Sequence, residues 1–570
     1  MRGLVTALAL GASCLCACSL VELSADIEQG RCQSHDDCDV LNTESVLDED
    51  ACVQWQCDRT SELCALLPLD RDYDQQSPAE VEHDGETFMC EADPEQQDCD
   101  DDDLTRAQGL DESCDRRDND CDGRYDEGAL VPSADPIVEL GSAESTHVAY
   151  ARDADSGAVA VAYSLLSAST PAPGFSLLAP ALDQGVAARS LAVQGIPNAR
   201  SAQVAVAALG SDRFAYAFVN VSGAERLVAG IVDPSDERIQ VGAAMAMYGV
   251  SCLQSEPCAA NAMAPPDVVP APNRSAPALA ALGDDVLLGY LRWDGDEPSC
   301  GELVGAAELP ELVANLLERR GEQLTESSSE AVSFGRSSDL SAPAIVALDE
   351  LGSGAERASA GWLVAHSDGG GRVVVDRVQA EGTTLAITQR ELVGLADAEL
   401  PSSGVTLALS PPGPTRQLAV AYQRGCGGDA RVLVSLYALT IEDGELRADP
   451  VAEEIATGGD AAAGNAALAF SPENPSGRGM WAVAYRDRRG LRARLIDLEG
   501  VLQDEAGDPY LLIDTGPQAA GDTTSVLLTP ALLPLPSARS WFAAIAHVLR
   551  TEDGEQARAF EAVTLGCAAD

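Results

Sequence analysis

The densest chemistry in the sequence lies between Asp98 and Glu127, where 13 carboxylates and three cysteines, Cys99, Cys114 and Cys121, share 30 residues. Within it Asp118, Asp120 and Asp122 occupy alternate positions ahead of Gly123, in the run DNDCDG. A calcium loop opens in this way, because the glycine allows the sharp turn that brings alternate carboxylates onto one cation. Asp126 falls at the ninth loop position, often a water-mediated ligand. The twelfth position is Ala129, not the bidentate Glu of an EF-hand, so the missing oxygens would come from Glu127 or from Asp100 to Asp103. Hard oxygen donors favour calcium; copper would call for His, Met or thiolate, and no His lies in the segment. The plainer alternative is a solvated acidic spacer held by disulfides.

Elsewhere the residues that usually carry reactions are sparse. The histidines are His35, His83, His147, His366 and His547. The last two stand at a repeat position that otherwise holds Tyr or Phe, which makes them packing or edge residues. No nucleophile elbow, H-E-x-x-H helix, Walker loop or dinucleotide fingerprint occurs. Carboxylate pairs are so common in this chain that they identify no acid/base couple. The N-x-S sites at Asn220 and Asn273 read as ordinary loop residues.

The chain has 570 residues, 92 acidic and 36 basic, for a net charge of −56, and every basic residue is Arg. Nucleic acid is thereby excluded as a partner, since phosphates would be repelled. The charge is uneven: Ser19 to Leu130 holds 35 acidic and 7 basic residues. Such a stretch cannot fold on an apolar core and needs staples or a metal.

The first 18 residues, MRGLVTALALGASCLCAC, have a positive start and an apolar run too short to span a bilayer. Leu15-Cys16-Ala17-Cys18 resembles the lipobox of bacterial lipoproteins, with Cys18 as the lipidated residue and Cys14 as a second candidate; an ordinary secretory signal is the alternative. The resemblance implies a membrane partner through the lipid anchor. Ser19, in place of an Asp retention signal, implies an exported outer-membrane lipoprotein, on the periplasmic face or the cell surface. The cysteines that follow, Cys32, Cys38, Cys52, Cys57, Cys64, Cys90, Cys99, Cys114, Cys121, Cys252, Cys258, Cys300, Cys426 and Cys567, are even in number. They contain no C-x-x-C pair, and so read as disulfides in an oxidising compartment.

CQSHDDC, ACVQWQCDRTSELC and HDGETFMC resemble a cysteine-rich module of myxobacterial surface proteins. The segment 98–128 resembles the MopE-type Asp/Cys-rich metal-binding repeat, through DCDD, an intervening Cys, and DNDCDG followed by DEG. It departs at Arg116-Arg117, where that family has Gly and a small or apolar residue.

The rest of the chain must position whatever these segments serve, and it repeats. Runs of small and apolar residues ending in an aromatic or His close at Tyr163, Phe218, Tyr290, His366, Tyr422, Tyr485 and His547. Each follows another short apolar run and a turn signal, and most precede a third; such runs predict strands. Three to four strands in each of seven units predict a mainly β fold, a seven-bladed β-propeller-like body with a small disulfide-rich, acidic N-terminal head. An array of β-sandwiches is the alternative, and residues 310–324 form the one good helix candidate. The expected domains are 1–18 signal peptide, 19–90 cysteine-rich module, 91–130 metal-binding motif and 131–570 propeller. The expected function is a surface-anchored, non-enzymatic binding or scaffold lipoprotein with a calcium-stiffened head and an unknown protein or glycan ligand. The alternative is an extracellular propeller hydrolase acting on polysaccharide. Cys18→Ala should move the protein from the membrane fraction to the soluble exported pool; retention would shift the lipid to Cys14 or remove it from the account.

Overall fold

The structure is a computed structural model. It describes residues from Cys32 to Cys567 with gaps. Residues 1–31, 42–52, 69–76, 90–96, 99–102, 179–188, 194–200, 247–276, 293–310, 457–465 and 515–522, with shorter loop stretches and 568–570, lie outside the described residues. The lipobox and Cys18, and also Cys52, Cys90, Cys99, Cys252, Cys258, Cys300 and Cys426, fall there. The chain divides into two compact units, Met1–Asp126 and Glu127–Asp570.

The second unit is a β-propeller of seven sheets, antiparallel except where Ala192–Val193 pairs parallel with Arg238–Ala246. Blade one shows the plan: Val148–Arg152 innermost, then Val159–Ser167, Thr170–Leu178 and the short Arg189–Ser190. The other innermost strands are Ser201–Gly210, Ala278–Leu282, Ala344–Leu348, Ser402–Leu409, Ala467–Ser471 and Ala531–Pro534. Each packs against the next around a ring, and Ala531–Pro534 returns to Val148–Arg152. A closed ring overturns the alternative of independent sandwiches. All seven aromatic- or His-ended runs are second strands, from Val159–Ser167 to Ser540–Glu552.

The sequence folds this way because its second strands are apolar on both faces. Gly361–Ser367 is buried along its whole length, and the core lies between blades rather than within them. One cluster joins Val161 and Tyr163 of blade one to Ile545 and Ala562 of blade seven. Another joins Leu363 and Val375 of blade four to Leu418 and Val420 of blade five. Wide side chains begin the second strands, and their polar tips reach the preceding blade. The Trp362 indole N–H donates to the Ala280 carbonyl at 3.1 Å, and that of Trp481 to Gln417 Oε1 at 2.8 Å. Buried Tyr and Trp are tolerated when their polar atom finds such a partner.

In five of the seven second-strand runs the closing residue meets a matched residue on the third strand. Tyr163 donates to the Phe175 carbonyl at 2.9 Å, with Ser176 Oγ at 3.3 Å. Tyr290 donates to Asn315 Oδ1 at 3.0 Å. Nε2 of His366 lies 3.5 Å from Asp376 Oδ2, beside the edge of Phe334. Ser435 and Arg494 serve Tyr422 and Tyr485. Phe218 has no polar tip, and there the matched position, opposite Tyr216, is Gly230. These are packing pairs, as expected for His366.

Two expectations fail. Residues 310–324 are not a helix but the strands Glu311–Arg320 and Gln323–Glu326, joined at Gly321 with φ 66°. Residues 312–317 are buried in an unbroken run, and an apolar run buried on both faces cannot be told from a buried helix by periodicity. Asn220 is not a loop residue; it ends the strand Arg213–Asn220, 4 % exposed.

The ring is closed by the start of the unit. Leu130–Pro132 and Val138–Ser142 pair antiparallel with Glu555–Cys567, placing Leu130 opposite Cys567 and Val138 opposite Ala562. They form the outer edge of blade seven. Cys567 is disulfide-bonded. A chain ending before Asp522 loses the main strands of that blade and should lose its single cooperative unfolding transition; an unchanged midpoint would restore independent domains. At Gly174 an added Cβ would sit 2.1 Å from the Tyr163 ring, so Gly174→Ala should destabilise the propeller by about 1–3 kcal/mol in chemical denaturation.

Candidate metal site

Among the described residues the first unit has little apolar core, and they are held by sulfur. The strands Val53–Asp58 and Leu63–Pro68 form a hairpin in which Cys57 faces Cys64. Cys57 bonds to Cys32 and Cys64 to Cys38, with Cα–Cα distances of 5.6 and 5.7 Å. Cys32, Cys38 and Cys57 are buried together against Trp55. The closeness of Cys32, Cys38 and Cys64 therefore reflects adjacent disulfides, not thiolates awaiting a metal. Cys114 and Cys121 are also disulfide-bonded.

The carboxylates that converge are Glu112, Asp118 and Asp120, with one oxygen of each within 4.8 Å of the others. Glu112 organises the loop. Its Oε1 accepts the N–H groups of Asn119 at 2.6 Å and Asp120 at 3.0 Å, and its Oε2 accepts that of Asp126 at 2.7 Å. Burial, opposed by these bonds and aided by the Asp120 charge, pushes the Glu112 carboxyl above its ordinary value. Asn119, 1 % exposed, ties the loop back: its Oδ1 accepts from Ser113 N–H at 3.0 Å and its Nδ2 donates to the Thr105 carbonyl at 2.8 Å.

Asp118 and Asp120 are on this cluster, as their spacing implied. The Asp122 N–H donates to Asp118 Oδ1 at 3.1 Å and Asp120 Oδ1 at 3.2 Å, so the turn does fold the alternate carboxylates together. The Asp122 carboxylate itself pairs with Arg124. Asp126 is fully buried at φ 55°, and its Oδ1 accepts the Asp115 N–H at 3.0 Å; it braces the loop. Asp103, one expected source of further oxygens, pairs with Arg117, and its hydrogen bond from Thr105 leads the causes that hold its carboxyl below the usual range. Gly123, Glu127 and Asp100 to Asp102 lie outside the described residues. Sequence reasoning missed Glu112 because it precedes the loop by six positions, and only the fold brings it back; its acidic type alone was a signal shared with too many neighbours.

Three carboxylates sharing a space so small repel one another, and a cation among them converts that repulsion into coordination. The donors are all oxygen, which suits calcium and not copper.

No family description matches the chain, and no curated relative does. Among solved structures it is similar to the Penicillium chrysogenum α-L-arabinanase, at 11 % identity over 77 % of this chain and 96 % of that one, TM-score 0.35. It is similar to the Aleuria aurantia lectin, a six-bladed β-propeller, at 12 % identity over 65 % and 97 %, TM-score 0.32. A third is the Trypanosoma rangeli sialidase, at 9 % identity over 66 % and 56 %, TM-score 0.34.

If the cluster takes a cation, Glu112→Gln, Asp118→Asn and Asp120→Asn should each weaken calcium binding to the oxidised 19–130 fragment, whereas Asp122→Asn should do less. Calorimetric titration of the four variants orders them. The raised pKa of Glu112 sets the pH dependence. Without a cation its charge costs the head stability above the folded pKa, and that cost fades as pH falls through the folded value toward the unfolded one. Calcium affinity should fall over the same window, because protons then compete for the site.

Proposed function

We propose that the protein is a surface-tethered binding platform: a lipid anchor at Cys18, a disulfide-held head stiffened by calcium at Glu112, Asp118 and Asp120, and a seven-bladed propeller that presents ligand-binding loops. The observation that carries this reading is where the polar groups have gone. The residues most able to do chemistry in the body, such as His366 and Asp376, are spent on packing inside blades. Asp153 is fully buried and its carboxylate is used by backbone N–H groups of residues 155, 156 and 212. Such a ring would offer a partner the turns that join its strands, the usual arrangement of a recognition scaffold. A lipid anchor places such a ring at the outer membrane, facing the periplasm or the exterior.

Calcium suits the head for a mechanical reason. Its sequence cannot collapse on apolar contacts, so a divalent ion supplies order that burial does not. Affinity of the kind common in extracellular calcium modules, with a dissociation constant of roughly 0.1–1 mM, would stabilise the head by only ~1.4 kcal/mol at tenfold excess.

The second reading, a polysaccharide hydrolase, draws on one observation. Every blade repeats the same meander, so the turns from innermost to second strand emerge on one face. Blades one to four bring Asp155, Asp212, Asp284, Asp285 and Asp349 there. Burial first, then the charges of Glu318 and Asp284, raises the Asp285 carboxyl, as a general acid requires.

A screen of the purified protein against glycans and surface proteins separates the readings. Saturable binding without release of reducing sugar is the expected result; turnover that disappears in Asp285→Asn would replace the platform with the hydrolase.

A further inference from the structure

Blades four and five differ from their neighbours at the crevice between them. The connection leaving Ala344–Leu348 does not turn directly into Gly361–Ser367 but carries an added hairpin, Leu351–Ser353 paired with Glu356–Ala358. This hairpin lies against Arg431–Glu442, the third strand of blade five. At its neck Leu348 faces Gly361 and Leu351 faces Ala358, and Asp349 and Ser359 lie between those two pairs.

Two arginines reach that neck from opposite walls. Arg377 belongs to Val373–Glu381 of blade four, on the face it shares with Val373 and Val375, which pack toward blade five. Arg416 opens the second strand of blade five, on the face it shares with Leu418 and Val420, which pack toward blade four. They are 6 % and 4 % exposed. The Arg377 Nη2 donates to the Ser359 carbonyl at 2.8 Å. Arg416 donates from Nε to the Ser410 carbonyl at 3.2 Å, and its Nη2 stands 3.5 Å from Asp349 Oδ2.

These contacts leave both guanidiniums short of partners. Arg377 Nε and Arg416 Nη1 are buried with no hydrogen-bond acceptor, and among the described residues no carboxylate pairs with Arg377. An unpaired buried charge is among the costliest features a fold can hold; here, in a chain whose net charge is −56, Arg377 has no carboxylate among the described residues and Arg416 has only the distant Asp349. The carboxylate that pairs with Arg416 among the described residues, Asp349, is 59 % exposed at its side chain and touches Arg416 at long range. It behaves as a displaceable counter-ion.

We propose that the crevice between blades four and five, at the neck of the hairpin, is a carboxylate-binding site in which Arg377 and Arg416 hold the anion and Asp349 occupies it in the anion's absence. Guanidinium groups present planar forks of N–H donors, and a carboxylate offers two oxygens with matching geometry. Burial pushes both guanidinium groups below the ordinary arginine value, and an incoming anion would reverse that. The proposal deepens the platform reading by naming a ligand class, a molecule bearing an exposed carboxylate. Its probes are small anions, so it can stand or fall without the partner screen.

The experiment titrates sodium acetate, glucuronate and N-acetylaspartate into the full chain, against sodium chloride at equal ionic strength, by calorimetry and thermal shift. Saturable binding of carboxylates is expected, lost at least tenfold in Arg377→Gln and Arg416→Gln. Those variants could lose binding by misfolding, so Asp349→Asn is the deciding one. Removing the internal competitor should tighten carboxylate binding severalfold and enlarge the thermal shift, an effect that a purely structural role for the arginines does not produce. A preference for glucuronate would assign an acidic sugar, and a preference for N-acetylaspartate an acidic peptide. Equal affinity in wild type and Asp349→Asn, or no carboxylate binding by either, would overturn the proposal.

Discussion

No blade of this propeller can bury its own faces. A four-stranded sheet leaves two broad apolar surfaces, and the clusters that make up the core draw on adjacent blades, down to the one that joins blade one to blade seven. Everything else follows from that need for neighbours on both sides. The innermost strands are Ala-rich, as in ALAAL and AIVAL, because seven of them must crowd around one axis. The second strands carry Trp362, Trp481 and Trp541, all almost wholly buried, and the first two span from one sheet to the next. A ring with one blade missing would expose two such faces at once, and hydrophobic burial on that scale outweighs any single hydrogen bond or ion pair in the structure.

The repeats were legible for the same reason. A strand buried on both faces has no polar phase, so it stands out as a short apolar block, and the residue that closes each block marked all seven second strands. Outer strands were less visible because one face meets water: Thr384–Gly394 buries only Leu385 and Val393 and has no strong apolar signature. The closing strands Leu130–Pro132 and Val138–Ser142 could not be read at all, since their partner lies at the other end of the chain. Residues 310–324 show the limit from the other side. Their composition favours a helix, and burial between blades overrides that preference.

The head was legible in composition and only half legible in geometry. Alternation of Asp118, Asp120 and Asp122 implies a tight turn, and the Asp122 N–H reaches the Asp118 and Asp120 carboxylates. It did not indicate that Asp122 would pair with Arg124, that Asp126 would be consumed bracing the Asp115 N–H, or that Glu112 would take the central place. Those choices depend on which backbone N–H groups face inward, and a sequence full of carboxylates offers many equivalent candidates for each.

The pairing of Leu130 with Cys567 also fixes an order in time. The strand that completes the last blade is made early and must wait for about 430 further residues before its partner exists, and closing so long a loop is entropically slow. Until then the nascent ring has two open edges, one at each end of the growing stack, and open edges invite pairing with other chains. Synthesis therefore yields an unfinished circle, whose final step joins the first strands made to the last.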